Sequence, residues 1–364
     1  MTLTDREREI VALLRRDPLI GSAAIADALG TTRAAVNVHL SNLGKKGVIL
    51  GRGYVLSEEP SVVVVGGANM DVKARSTRAA VPATSNPGTG SMAAGGVGRN
   101  IAENLARLGT RTHLVAAIGS DGLGDQVLAA TSGAGVHVEH VRRSARATGT
   151  YTAVLDADGE LVVAVSDMAA TDELSPEQVG AARDLVAAAA LVVLDGNLAV
   201  DTLGYAIDLA AGHGTRVVLE PVSVPKAAAR AHLLRPERPL YAVTPNRDEL
   251  GALTDLPVRT VRQVERAARS LHDRGVELVW VRLGAEGSLL STRDGATRLA
   301  AVAAEVADVT GAGDAMLAGF CHALLTGADE QHAAAYGHAA AALTIASPHT
   351  VRPDLTDRLV RSLL

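Results

Sequence analysis

The segment Asp308-Val309-Thr310-Gly311-Ala312-Gly313-Asp314 runs into an apolar stretch, Ala315–Leu325, that reads as a helix. Small residues let a backbone close around a ligand, and the open N–H groups of a first helical turn attract an anion such as a phosphoryl group in transfer. Asp314, at the end of that turn, could take the proton of an attacking hydroxyl. A plain helix cap would also put an aspartate there. Two further polar, Gly-rich segments stand out. Gly66-Gly67-Ala68-Asn69-Met70-Asp71 follows a short apolar run, and Gly95-Gly96-Val97-Gly98-Arg99-Asn100 opens a second helix pattern. Polar segments outside the carboxyl ends of parallel strands are where ligands bind in open α/β sheets. The common nucleotide fingerprints are missing: no Gly-x-x-x-x-Gly-Lys-Ser/Thr occurs, and Gly66–Asn69 lacks the Gly-x-Gly-x-x-Gly spacing. No His-Glu-x-x-His or paired Cys-x-x-Cys is present, so structural zinc is not expected.

The elements that must hold these residues follow from periodicity. Strands are predicted at Val62–Val65, His113–Ala117, Leu191–Leu194, Arg216–Glu220, Tyr241–Thr244 and Leu278–Arg282. Helices are predicted at Gly98–Leu108, Asp125–Gly133, Pro176–Ala190, Thr202–His213, Val261–Arg274, Asp314–Leu325 and Glu330–Ile345. Such alternation implies a parallel sheet covered on both faces. Thr148–Leu155 and Glu160–Ser166 break the rhythm around Asp156-Ala157-Asp158-Gly159, which reads as a hairpin flap over a site.

The first 57 residues read differently. Thr4 and Glu7 form a capping box for a helix ending near Arg16, a second helix covers Ser22–Leu29, and Thr31 or Thr32 caps a third. Val36, Leu40 and Leu43 face inward on that third helix, and Arg33, Asn37, His39 and Lys45 face largely outward. Gly47–Leu56 reads as a hairpin around Gly51-Arg52-Gly53, followed by a polar linker over 58–61. Met1–Ser57 carries eight Lys/Arg against five acids, whereas the whole chain has a net charge of −5. A basic head on an acidic body suggests two functions in one chain. The head resembles the winged helix-turn-helix of bacterial regulators. That resemblance implies DNA binding through Arg33, Asn37, His39, Lys45 and, in the wing, Arg52, with a homodimer reading two half-sites.

Composition sets bounds on the rest. Apolar residues make up 48% of the 364-residue chain, enough for a sizeable core, while aromatics are 2%, too few for a base-stacking surface. The single cysteine, Cys321, excludes an internal disulfide and suits a reducing compartment. Met1–Asp17 is charged without an apolar h-region, and no apolar run is long enough to span a bilayer, so a cytoplasmic protein is expected.

From Val62 to Pro353 the chain resembles the ribokinase-like (PfkB-type) carbohydrate and nucleoside kinases. The carrying motifs are Gly95–Ala102, Thr244-Pro245-Asn246-Arg247-Asp248-Glu249 and Asp308–Asp314, in that order. Within the family the likeness runs toward pseudouridine kinases, through Gly66–Asp71, Ser85–Gly88, Gly149–Asp156, Ser166–Met168 and Glu220–Lys226. The resemblance implies a ribokinase-like parallel-sheet sandwich with a small β lid, and ATP-dependent phosphorylation of the pseudouridine 5′-hydroxyl. It implies Asp314 as base, with the N–H groups of Gly311, Ala312 and Gly313 neutralising the phosphoryl group. Asp71 and Asn100 would hold ribose hydroxyls, Gly96 would allow close approach, and Asn69 would contact the base or bond its own turn. Asn246 and Glu249 would organise ATP and Mg²⁺, Glu249 through water. Arg282, Gly284 and Gly287 would form the nucleotide loop, although relatives commonly carry a small hydroxyl residue in place of Arg282. His338 would line the adenine pocket, and Asp308, Thr310 and Ser347 leave room for an activating K⁺. A kinase for another ribonucleoside or sugar, and a ligand-sensing regulator built on a kinase fold, are the competing readings.

Overall fold

A computed structural model of the chain describes residues 3–50 and 60–364. They fall into two compact units, Met1–Glu59 and Pro60–Leu364. In the first unit three helices, Asp5–Arg16, Ser22–Ala28 and Arg33–Lys45, close over a core of Ile10, Val11, Leu14, Ile25, Ala26, Val36 and Leu43. The Thr4–Glu7 capping box is formed, and Thr32 rather than Thr31 caps the third helix. The expected hairpin, with Arg52 at its turn, lies largely outside the described residues.

The second unit is built on a nine-stranded sheet. Its strands are β1 (Ser61–Val65), β4 (Arg111–Gly119), β5 (His137–Ser144), β8 (Leu191–Asp195), β9 (Arg216–Glu220), β10 (Leu240–Val243), β11 (Val276–Arg282), β12 (Ser288–Thr292) and β13 (Gly295–Leu299). Their spatial order is β13-β12-β11-β10-β9-β8-β1-β4-β5, parallel except for the hairpin β12–β13. Apolar residues fill both faces of the central strands. In β1, Val62 and Val64 join one core with Trp280 and Phe320, and Val63 and Val65 join the other with Leu203 and Leu271. Helices therefore cover both sides, as a parallel sheet requires. From β1 the chain builds outward through β4 and β5, then returns to pair β8 on the other flank of β1. That reversal opens a crevice at the carboxyl ends of β1 and β8.

The lid is larger than the predicted hairpin. Strands β2 (Asn69–Ser76) and β3 (Gly88–Gly95) join β6 (Thr150–Leu155) and β7 (Leu161–Asp167) in a sheet of order β3-β2-β6-β7. β3, Gly-Thr-Gly-Ser-Met-Ala-Ala-Gly, has no apolar alternation and only Thr89 as a branched side chain, so its sequence gives no strand signal. The predicted helix Pro176–Ala190 is broken into Pro176–Gly180 and Arg183–Ala188. Among the described residues no helix is long and apolar enough to cross a membrane.

Candidate active site

A cavity of about 360 Å³ lies in the crevice, lined from the lid by Asn69 and Asp71 and from the body by Asn100, Lys226, Gly311 and Asp314. Its volume suits a small ligand. Two Gly-rich segments meet at its floor around a residue that sequence reasoning missed. Asp195, the acid ending the otherwise apolar β8, is fully buried; its Oδ2 accepts the N–H groups of Gly67 at 2.8 Å and Gly98 at 2.9 Å. Burial pushes its carboxyl upward, and the backbone donors of Asn197, Gly67 and Gly98 oppose that rise. The acid thus pins the turn after β1 to the start of the helix Val97–Arg107. Gly96 caps that helix at φ 99°, and a Cβ there would lie 2.5 Å from the Gly67 carbonyl oxygen. Only glycine fits.

The sugar-side polar groups converge. Asn69, 2% exposed, donates through Nδ2 to Asp71 Oδ1 at 2.7 Å. Burial raises the Asp71 carboxyl, against the pull of Asn69 and Lys73. Asn100 sits four residues into its motif's helix and donates to Asp314 Oδ2 at 2.9 Å, which joins segments 214 residues apart. Asn100 is itself braced by Arg99, whose guanidinium also reaches the Ala94 carbonyl and pairs with Glu103.

The phosphoryl-side motif departs from its expected register. The helix starts at Ala312, with Gly311 as its left-handed cap at φ 79°, so Asp314 is in the first turn rather than at the cap. Its side chain turns to Asn100 and makes no capping bond. Ala312 N–H leans back to Val309 O at 3.3 Å, leaving the N–H groups of Gly311, Gly313 and Asp314 as the open donors of the turn. Burial pushes the Asp314 carboxyl up to about 8, with Asn100 and Arg282 opposing and Glu220 adding to the rise.

On the nucleotide side, the Asn-x-x-Glu motif is a working capping box. Asn246 Oδ1 accepts Glu249 N–H at 2.9 Å, and Glu249 Oε2 accepts Asn246 N–H at 2.8 Å. Burial and the neighbouring Glu220 raise the Glu249 carboxyl, and Arg282 opposes them. Glu220, which ends β9 as Asp195 ends β8, accepts Thr244 Oγ1–H at 2.7 Å and Arg282 Nη2–H at 2.6 Å. Past Arg282, Gly284 and Gly287 have φ of 61° and 87° around a short 3₁₀ turn.

Other expected site residues already have partners within the protein. His338 is 6% exposed and shares a 2.7 Å hydrogen bond with Ser288 Oγ, edge-on to Trp280. The helix Glu330–Ile345 packs into the core, which makes His338 a satisfied interior residue. Asp308 already has partners within the protein: Lys73 of the lid donates to Oδ2 at 2.9 Å and Thr310 N–H to Oδ1 at 2.8 Å. Those donors hold its carboxyl low although burial pulls the other way. Thr310 is exposed, and Ser347 Oγ takes His349 N–H at 3.2 Å. His39 is half-buried, not outward. In the head Arg33, Asn37 and Lys45 are exposed as expected. Lys46 is drawn into the buried Glu7 carboxylate at 2.7 and 2.8 Å, and with the Thr4 N–H this holds that acid down at about 2.

Residues 59–357 match the model of the pfkB family carbohydrate kinases, and residues 3–49 match that of winged helix-turn-helix DNA-binding domains. The uncharacterized sugar kinase YeiI of Escherichia coli (strain K12) is 36% identical over 356 residues, covering 97% of each chain. The pseudouridine kinase of Escherichia coli (strain K12) is 31% identical over 311 residues, 85% of this chain and 98% of its own. Among solved structures, Arabidopsis thaliana ribokinase complexed with ribose and ATP aligns at 27% identity with a TM-score of 0.74, over 84% of this chain and 99% of its own.

Proposed function

From the premise that the chain belongs to the pfkB family of carbohydrate kinases, with an N-terminal winged helix-turn-helix domain, we propose that it phosphorylates the 5′-hydroxyl of pseudouridine. Membership makes it an ATP-dependent phosphotransferase acting on a sugar or nucleoside alcohol. The observation that carries the reading is the Asn100–Asp314 hydrogen bond, because it sets the sugar-side helix against the phosphoryl-side turn in one cavity. The choice of a nucleoside draws on the likeness to pseudouridine kinase and on polar groups beyond the diol-binding pair, Asn197 and Lys226 among them.

In this reading Asp71 and Asn100 orient the ribose, and Asp314 takes the 5′-hydroxyl proton. The Gly311, Gly313 and Asp314 N–H groups stabilise the charge on the phosphoryl oxygens. Glu220 and Glu249, two buried carboxylates sharing one guanidinium, form an oxygen donor set short of one positive charge, which suits Mg²⁺ held through water by Glu249 beside Asn246. Bound there, Mg²⁺ would neutralise phosphate charge. The lid excludes water from the acceptor. Its strand β7 exposes Leu161, Val162, Val163 and Val165, which supports a homodimer with lids paired.

The test is a panel of pseudouridine, uridine, adenosine, inosine, ribose and fructose with ATP and Mg²⁺, read by product formation. A kcat/KM for pseudouridine at least tenfold above the others is expected; preference for another acceptor would remove the substrate assignment.

The head supports a second activity, DNA binding, since residues 3–49 match the winged helix-turn-helix DNA-binding model and Arg33, Asn37 and Lys45 are exposed on its third helix. The full chain should retard duplex DNA from upstream of its own gene. Arg33→Ala and Lys45→Ala should each reduce the slope of log affinity against log salt by about one. Retardation that both variants leave unchanged in strength and slope would count against the third helix as the contact.

A further inference from the structure

The geometry points to Arg282 as a catalytic residue that donates to the transferring phosphoryl group, a role that rests on the kinase reading above. Arg282 ends β11, where its N–H bonds Pro245 O at 2.8 Å and its backbone bridges to Asn246. The side chain then runs under the phosphoryl-side turn. One arm of its fork is fixed: Nη2 lies 2.6 Å from Glu220 Oε1 and 3.4 Å from Glu249 Oε2. The other arm faces the turn. A Cβ built on Gly313 would lie 2.6 Å from Nη1, so the guanidinium rests against the glycine whose N–H opens the anion cradle. Asp314 feels the same charge. With the side chain only 16% exposed, that charge is little screened by solvent.

A fork fixed at one end by two acids and facing an anion cradle at the other suits a planar guanidinium, because each nitrogen donates in a set direction. Gly313 is part of the device. Any larger residue would push Nη1 away from the cradle. Glu220 and Glu249 are then positioning residues: they aim the fork and keep it charged. In the step itself, the acceptor oxygen bonds to the γ-phosphorus of ATP as that phosphorus separates from its bridging oxygen. ADP leaves with the bond's electron pair, and the acceptor proton passes to Asp314. Arg282 Nη1 stabilises the charge on the non-bridging oxygens throughout, beside the N–H groups of the turn.

Arg282→Ala and Arg282→Lys, compared with the intact chain, test this. Lysine keeps a countercharge for Glu220 and Glu249, which protects folding, but its single nitrogen cannot serve both the acids and the cradle. Both variants are expected to lower kcat, by roughly 10²- to 10³-fold for alanine and by at least tenfold for lysine. Both should weaken binding of a non-hydrolysable ATP analogue, read by calorimetry, while leaving ADP affinity within about twofold. A purely structural arginine would instead lower Tm and leave the analogue-to-ADP affinity ratio unchanged. An Arg282→Lys variant that folds, with wild-type kcat and an unchanged affinity ratio, would overturn the role. Wild-type protein that phosphorylates nothing in the acceptor panel would remove the kinase reading instead, so the two failures are distinct.

Discussion

Asp314→Asn is expected to lower kcat by ~10²–10⁴-fold, the range for removing a positioned general base. The substitution is nearly isosteric. Asparagine can still accept the Asn100 Nδ2–H bond through its carbonyl oxygen, so the contact between the sugar-side helix and the phosphoryl-side turn survives. What goes is the ability to take the acceptor proton. Nucleoside binding, measured by calorimetry, should change little, and retention of both binding and most of the turnover would mean that Asp314 is not the base. The pH profile of the intact protein gives an independent check. Burial raises the Asp314 carboxyl to about 8, so at neutral pH the base is largely protonated. Because the active form is the deprotonated one, kcat/KM should rise with pH through about 8, falling tenfold per unit well below it. A profile flat between pH 6 and 9 would contradict the assignment.

Gly311→Ala is expected to be the most damaging glycine substitution in the phosphoryl-side turn, with kcat reduced by roughly 10²–10³-fold as the donors of the turn lose their aim. Two effects combine. Gly311 is left-handed at φ 79°, a conformation that strains an L-residue by about 1–2 kcal/mol. In addition, the new Cβ would lie 2.0 Å from the Thr350 carbonyl oxygen, and that neighbour is backbone. The turn must therefore move, taking the start of the helix Ala312–Leu325 with it. Gly214→Ala separates the two effects: φ is 71° but nothing lies within 4 Å. That control should show only the strain, about 1 kcal/mol in urea unfolding, with kcat unchanged. Equal kcat for Gly311→Ala and the control would show that the turn's geometry does not matter to turnover.

Most of the parallel strands were legible as short, largely apolar runs bounded by turn signals, as in Val62–Val65 and Leu191–Leu194, but the parallel edge strand β5, His-Val-Glu-His-Val-Arg-Arg-Ser, is too polar to give that signal. The longer helices of both units were legible through caps and 3.6-residue periodicity, and the Thr4–Glu7 box formed as read, whereas the short helices Val224–Arg230 and Arg247–Thr254 were not read and Pro176–Ala190 proved to be two. Most of the lid was not legible. β2 and β3 belong to a small, largely exposed sheet, and Gly, Ala and Ser along β3 leave no alternation to detect. Asp195 and Glu220 had a usable signal that went unread: each is the acid ending an otherwise apolar buried strand, and such an acid needs partners. His338 went the other way. Its position on a predicted helix was right, but only packing against Trp280 and Ser288 determined that it serves the core.

The sequence by itself determined what depends on near neighbours in the chain: strand and helix periods, the capping boxes, the left-handed glycine turn before Ala312, and the order of the kinase motifs. Tertiary structure decided every contact whose partners are far apart in sequence. Asn100 reaches Asp314 across 214 residues, Lys73 reaches Asp308 across 235, and Asp195 holds Gly67 and Gly98 from 128 and 97 residues away. The physical reason is strand order. Crossover connections place β8 beside β1 and bring the ends of β9 and β11 to the same edge as the phosphoryl-side turn. Local pattern carries no record of which strand ends up next to which, so the fork of Arg282 between Glu220, Glu249 and Gly313 exists only once the sheet is assembled.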